Sequence, residues 1–253
     1  MSDSLLVERR GRVLVMQLNR PQARNAINLE LASAIDAAVT ELDQDDSLAV
    51  GVLTGADGTF CAGMDLKAFT RGEVVSTDRG FAGLTEAPPE KPLIAAVEGW
   101  ALAGGCELAL ACDLVVAGRD AKFGIPEVKR GLVAAAGGLM RLHLALPYAL
   151  AMELALTGDP LSAQRAHELG MVNHLADRGQ ALTEALSLAE RIAENGPLAV
   201  RTSKAMLKEA SAWNDPELWR RQHEAAAHVF SSADATEGAT AFAEKRAPRW
   251  TGR

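Results

Sequence analysis

Only three cysteines occur in the 253 residues, Cys61, Cys106 and Cys112. They are odd in number, sit in apolar segments and have no paired spacing, so neither a disulfide framework nor a zinc site is indicated and reduced, buried thiols are expected. Cations are outnumbered, with 26 Lys and Arg against 33 Asp and Glu and a formal net charge of −7. That balance argues against a nucleic-acid surface or a polybasic membrane anchor, since both need clustered positive charge, and any anionic ligand must be held by local basic residues. No apolar run approaches the length of a bilayer span, and the opening Met1-Ser2-Asp3-Ser4 is polar, so a cytoplasmic protein without membrane contact is expected. A G-x-G-x-x-G fingerprint and a P-loop are both missing, which removes the two common nucleotide-phosphate cradles. The five histidines, at 143, 167, 174, 223 and 228, show no metal-ligand pattern, and no metal is expected.

What is present is apolar residue in quantity, 48% of the chain, enough for one large domain with or without a helical extension. Residues 13–18 and 49–54 are short β-rich runs bounded by turn residues, and residues 29–42 between them repeat apolar side chains at helical spacing. Apolar runs at 93–97 and 113–117 add two further strands. Strands alternating with helices predict an α/β fold whose sheet is buried on both faces. Beyond residue 127 strands become scarce: Gly137-Gly138 opens a helix, residues 149–156 make another, and residues 163–169 end at Gly170. From residue 180 the pattern is helical, broken at Gly196-Pro197 and Asn214-Asp215-Pro216, so an α/β core over 1–195 and a helical portion over 196–253 are expected. Residues 71–90 have no clear period and are expected to form a loop with helical pieces near a site. Trp213, Trp219 and Trp250 are expected to pack helices or subunit contacts.

The stretch Gly99-Trp100-Ala101-Leu102-Ala103-Gly104-Gly105-Cys106-Glu107 follows the 93–97 strand and leads into an apolar helix. It places a glycine turn, free helix-start N–H groups and a carboxylate in the first helical turn. Glutamate there complements the helix dipole, which is reason enough for its presence. Glu107, however, is flanked by Leu102, Ala103, Leu108, Ala109, Leu110 and Ala111, in a helix apolar nearly all round, so burial is expected, and a buried carboxylate needs a partner or a task. Twenty residues on, Pro126-Glu127 supplies a second carboxylate. Backbone donors that attract developing negative charge beside an acid/base group make an oxyanion site.

These residues resemble the crotonase, or enoyl-CoA hydratase/isomerase, superfamily at four stations in register across most of the chain. Leu18-Asn19-Arg20-Pro21 with Asn25-Ala26-Ile27-Asn28 is similar to the family's opening turn, and Phe60-Cys61-Ala62-Gly63-Met64-Asp65-Leu66 to its first oxyanion strand and CoA wall. Gly99 to Glu107 and Phe123-Gly124-Ile125-Pro126-Glu127 are similar to its second oxyanion turn and second acid station. The resemblance implies a crotonase-like spiral of β-β-α turns, with C-terminal helices that assemble a homotrimer or a dimer of trimers. It further implies main-chain oxyanion donors at Met64 and Gly104, catalytic carboxyls at Glu107 and Glu127, and a coenzyme A thioester as substrate carrier with no prosthetic group. Contacts to CoA are implied for Arg24, Ala62, Asp65, Leu66 and Lys67, and for Phe242 and Lys245 of a neighbouring subunit, the last two sharing a face if a helix carries both. Trp100, Ala135 and Gly137 are implied for the substrate pocket.

Glutamate at both stations is the hydratase pattern, so the implied reaction is reversible addition of water across the 2,3 double bond of a trans-2-enoyl-CoA to give a 3-hydroxyacyl-CoA. A Δ3-Δ2 isomerase, another crotonase-type acyl-CoA lyase and a non-catalytic acyl-CoA binding subunit are the alternatives; a pure binder has no use for two carboxylates and two glycine turns together. One departure stands out. Where hydratases of the family commonly read Pro-Gly-Ala-Gly-Gly, this chain reads Ala134-Ala135-Ala136-Gly137-Gly138, which puts an extra methyl at Ala135 near the implied water position.

Overall fold

The computed structural model describes residues 3–209 and 216–253; Trp213, Asn214 and Asp215 lie outside the described residues, as does the side chain of Trp219. A hairpin of β1 (Leu5–Arg10) and β2 (Val13–Leu18) opens the chain. There follow α1 (Leu29–Gln44), β3 (Val50–Gly55), the short α2 (Leu66–Thr70), a minimal hairpin of β4 (Ser76–Thr77) and β5 (Gly80–Phe81), β6 (Leu93–Val97), β7 (Trp100–Leu102) and α3 (Gly104–Ala111). Next come β8 (Leu114–Gly118), β9 (Lys122–Gly124), α4 (Gly138–Ala145), α5 (Tyr148–Thr157), β10 (Leu161–Ser162), α6 (Ala163–Glu168) and β11 (His174–Ala176). Among the described residues the chain closes with α7 (Ala181–Ala193), α8 (Pro197–Glu209), α9 (Pro216–Phe230) and α10 (Ala233–Glu244).

The strands divide between a six-stranded sheet of order β1-β2-β3-β6-β8-β11 and a three-stranded sheet of order β10-β9-β7. Only β1 and β2 run antiparallel in the large sheet. Successive turns of chain give one strand to each sheet and then a helix: β6, β7 and α3; β8, β9 and α4. The turn before them does the same in reduced form, with β3 followed by Cys61, bridged in parallel to Ala101 of β7, and then α2. This is the spiral of β-β-α turns that the resemblance implies.

Strand alternation builds the core on both faces of the large sheet. Val13, Val15, Val50, Val52, Ile94, Ala96 and Val116 face α7, which meets them with Ala181, Ala185 and Ala189 at four-residue spacing. Small side chains let that helix lie close, and Glu98 Oε1 fixes its start by accepting from Ala181 N at 2.9 Å. Leu14, Met16, Leu53, Ala95, Val97 and Val115 face the other way, toward Leu31, Ile35 and Leu42 of α1 and Leu108 and Ala109 of α3. Residues 71–90 differ from expectation: they carry the β4–β5 hairpin instead of helical pieces, because pairing of two-residue strands leaves no period to read.

Candidate active site

The first wall of the site is fastened by buried and partly buried polar groups that satisfy one another. Asn25, buried and left-handed at φ 57°, donates through Nδ2 to Ala56 O at 2.9 Å and Thr59 O at 2.7 Å, while its Oδ1 accepts from Arg20 N at 2.9 Å. Arg20 donates to Asp65 Oδ2 at 2.9 Å and also to Ala26 O. Asp65 Oδ1 in turn accepts from Lys67 N at 3.0 Å and Ala68 N at 3.3 Å, starting α2. Burial alone pushes the Asp65 carboxyl up, but Arg20 and those two N–H groups together hold it below the usual carboxylate value. The anchored segment runs beside Ile27: Ile27 N donates to Gly63 O at 2.8 Å, and Asp65 N to Ile27 O at 2.8 Å. A parallel bridge of that kind uses the groups flanking Met64 and turns the Met64 N–H the opposite way.

A second turn lies against the first. A Cβ built on Gly63 would stand 2.8 Å from Ala103 Cβ and 3.0 Å from Gly104 N. Ala103, just ahead of α3, sits at φ 51° and ψ −129°, a conformation costly for any residue with a Cβ, and its N–H donates to Gly124 O at 2.8 Å. Strain of this kind costs on the order of 1–3 kcal/mol and marks functional sites. Its effect is to aim the start of α3 at the Gly63–Met64 turn. Among the described residues, neither Met64 N nor Gly104 N donates to a protein acceptor, so two free N–H groups adjoin.

Glu107, 3% exposed, is three residues into α3 and does not cap its own helix. Its Oε1 crosses to the start of α4, accepting from Ala136 N at 2.8 Å and Gly138 N at 2.9 Å. Glycine is required at 138, because a Cβ there would stand 2.8 Å from Glu107 Cγ and 2.9 Å from Oε1. Burial pushes the Glu107 carboxyl up, opposed by the two N–H groups and by Arg141. Glu127 leads a 3-10 turn over Pro126–Arg130, and its Oε2 is wholly buried with no hydrogen-bond partner. Its carboxyl is also pushed up, first by burial and further by the negative charge of Glu107, while its own backbone and Arg130 pull the other way. With the charge of Glu107 raising Glu127, double ionisation is disfavoured and the pair can share one proton.

Of the remaining residues singled out by sequence, Arg24, Ala62, Leu66 and Lys67 fall on the same wall. Arg24 is exposed and left-handed at φ 52°, with its carbonyl accepting from Ala62 N at 3.0 Å, and Leu66 and Lys67 are exposed at the start of α2. Ala135 and Gly137 belong to the turn that holds Glu107, Ala135 exposed and Gly137 buried. Trp100 begins β7, 39% exposed, with Lys122 Nζ 5.0 Å from its ring centroid. Phe242 is 88% exposed on α10. Lys245 corrects the expectation of a shared helix face: α10 ends at Glu244, and Lys245 turns left-handed at φ 56° as its cap, with Arg246 N returning to Ala241 O at 3.1 Å. Sequence reasoning did not single out Ala103, Gly138 or Arg141. The Gly-Gly pair at 137–138 was a visible signal for the second, but a strained alanine and a long-range arginine contact have no local signature.

Among the described residues, no cluster of His, Cys, Asp and Glu could hold a metal ion, and no helix is long and apolar enough to cross a membrane. A family model described as Enoyl-CoA hydratase/isomerase matches residues 8–253. The chain is 44% identical to enoyl-CoA hydratase EchA19 of Mycobacterium tuberculosis over 98% of this chain and 96% of that one. It is 40% identical to carnitinyl-CoA dehydratase of Proteus mirabilis over the full length of both. Among solved structures, enoyl-CoA hydratase EchA1 of Mycobacterium marinum superposes with a TM-score of 0.97 at 58% identity, covering all of both chains. A match that spans nearly the whole chain in sequence and in backbone leaves one conclusion: the chain belongs to the enoyl-CoA hydratase/isomerase, or crotonase, family.

Proposed function

We propose that this protein is an enoyl-CoA hydratase, adding water reversibly across the 2,3 double bond of a trans-2-enoyl-CoA to give a 3-hydroxyacyl-CoA. The observation that carries the reading is the pairing of Glu107, oriented by Ala136 N and Gly138 N, with Glu127, whose Oε2 is buried and unpartnered. Ionised Glu107 takes a proton from water as the oxygen bonds to C3. The electron pair of the double bond moves toward C1 and the thioester oxygen becomes an enolate, held by the N–H groups of Met64 and Gly104. Glu127 enters as the neutral acid and delivers its proton to C2. An oxyanion donor is worth roughly 3 kcal/mol in such a transition state, and a main-chain donor cannot be deleted by side-chain substitution. No prosthetic group is needed; CoA travels with the substrate. Arg24, Ala62, Leu66 and Lys67 are proposed to contact it, with Asp65 holding that wall through Arg20 and the start of α2. Trp100, Ala135 and Gly137 are assigned to the acyl side.

A second lyase reading, dehydration of another 3-hydroxyacyl thioester, is favoured by the full-length match to relatives named carnitinyl-CoA dehydratase. Both readings use the same two carboxyls, and acyl preference separates them. Incubating the purified protein with a panel of trans-2-enoyl-, 3-enoyl- and 3-hydroxyacyl-CoA esters and identifying products tests the proposal. Formation of 3-hydroxyacyl-CoA supports hydration; interconversion of 3-enoyl and 2-enoyl esters without any hydroxylated product replaces it with the isomerase reading; binding without turnover replaces it with an acyl-CoA binding subunit.

A further inference from the structure

Arg141, on the first turns of α4, has no part in the proton and electron movements above, yet its guanidinium is half-buried at the junction of three pieces of the site. Its Nη2 donates to Thr85 O at 2.6 Å, fifty-six residues away in sequence. Thr85 closes a tight turn with Phe81, N to O at 3.3 Å, and the Phe81 ring occupies the space beside Gly104, where a Cβ would stand 2.5 Å from Cε1 and Cζ. Its Nη1 fills the volume that a side chain at Gly137 would need, with Gly137 at φ 94° giving the chain its entry into α4. The same entry presents Ala136 N and Gly138 N to Glu107. One side chain thus touches the turn packed on the Gly104 donor and the turn that orients the Glu107 carboxylate.

We propose that Arg141 is a positioning residue for this reaction, clamping the 81–85 turn against the start of α4 so that Gly104 and Glu107 keep their mutual geometry. The inference rests on the hydratase reading for its kinetic arm, but the clamp itself follows from the contacts. Charge adds a second effect. The charged groups facing Glu107 are Arg141 on α4 and Glu127 on the 3-10 turn, with the burial-raised Cys106 thiol beside it on α3. Among the described residues Arg141 is the cation that favours ionised Glu107 against burial, and Glu107 in turn sustains the charge on Arg141, which burial draws down.

The test compares Arg141→Gln and Arg141→Lys in the full-length protein with crotonyl-CoA as the probe. Loss of the clamp in Arg141→Gln is expected to lower kcat by about a hundredfold with KM little changed, because a small misplacement of reacting groups acts on the transition state. The acid limb of kcat/KM is expected to move to higher pH in Arg141→Gln and to stay in place in Arg141→Lys, which keeps the charge and loses the forked contact. A folded Arg141→Gln with unchanged kcat and an unmoved acid limb overturns the proposal. Should Arg141→Gln fail to fold, Arg141→Lys decides: a reduced kcat with the acid limb unmoved supports the clamp, and parental kcat overturns it. Carboxyl NMR of Glu-labelled protein, with Glu107 assigned by its disappearance in Glu107→Gln, reads the ionisation without turnover. If the parent protein hydrates no trans-2-enoyl-CoA ester of the panel, the hydratase reading fails on its own, while an upward titration shift of Glu107 in Arg141→Gln still supports Arg141 and no shift still overturns it.

Discussion

Two glutamates of the same chemistry are set to different tasks by what surrounds each carboxyl. Glu107 receives two main-chain N–H groups, which favour its anion; Glu127 has a buried oxygen with nothing to accept from, which favours its acid. Glu127→Gln keeps the shape and removes the proton, so hydration is expected to fall by about 10²–10⁴-fold while affinity for a CoA ester persists, measured by steady-state rates and calorimetric titration. Parental turnover in that variant would move the acid to another residue. The pH dependence follows from the directions of the shifts. Below the raised value of Glu107 the base is protonated and hydration is lost; above the raised value of Glu127 the acid is ionised and hydration is lost again. A bell is therefore expected, with its acid limb above the ordinary carboxylate range, and the two limbs belong to the coupled pair. Gly138→Ala tests the close approach: a methyl 2.8 Å from Glu107 Cγ must displace the carboxylate, costing about a hundredfold in kcat. Ala135→Gly, one residue outside the donating N–H of Ala136, is expected to change hydration rate or acyl preference with the fold intact. Burial of Glu107 was legible from its apolar neighbours, and so was its spacing from Glu127. The strained φ of Ala103 was not, since nothing in an Ala-Gly-Gly string says that the alanine must take the positive φ.

At the scale of elements, the long ones were readable and the short ones were not. α1 and the strands β2, β3, β6 and β8 have apolar periods that single-residue noise does not erase, and each lies where its pattern placed it to within a few residues. β4, β5, β7, β9 and β10 are two or three residues long, too few to show alternation, and they exist only because a neighbour offers a ladder. These are the pieces that assemble the site, since β7 and β9 deliver the chain to Ala103 and Glu127. α7 illustrates the opposite case, where spacing is also a packing rule: Ala181, Ala185 and Ala189 are small because the sheet beneath is close. Ala185→Leu, at a fully buried contact, is expected to lose about 1–3 kcal/mol of stability by overpacking, read from the denaturant midpoint with the unfolding slope unchanged. An unaltered midpoint would mean that α7 can lift from the sheet at no cost. α10 shows how a cap overrides a pattern. Residues 237–246 look continuous, but Arg246 pairs with Glu237 at 2.6 Å and Lys245 turns left-handed, so the helix stops one residue before the lysine it was expected to carry.

At the scale of the whole molecule, exposed apolar side chains gather on particular helices. Tyr148, Met152 and Leu156 stand at four-residue spacing along one exposed face of α5, with Met140 and Leu144 of α4 exposed nearby in sequence, and Phe230 and Phe242 exposed on the last two helices. Isolated exposed apolar residues are ordinary, but periodic stripes on adjoining helices favour burial against another surface. The resemblance implied assembly through the C-terminal helices; we propose the α4–α5 face, contiguous in chain with the turn that orients Glu107, as a second region. A homotrimer or a dimer of trimers is proposed to cover these faces and to bring Phe242 and Lys245 to a neighbour's CoA site. Lys245, held as the left-handed cap of α10 by its N–H to Ala241 O and Phe242 O, would then approach such a ligand from a different direction than Phe242. Deleting residues 237–253 is expected to lower the sedimenting mass and weaken CoA-ester affinity together. The double variant Leu144→Glu/Leu156→Glu separates the two regions: if α4–α5 is an interface, charge there lowers the mass while circular dichroism stays at the parental value. A truncated monomer that binds CoA esters as tightly as the parent would show that each subunit completes its own site, and an α4–α5 variant of undiminished mass would assign that apolar face to another task.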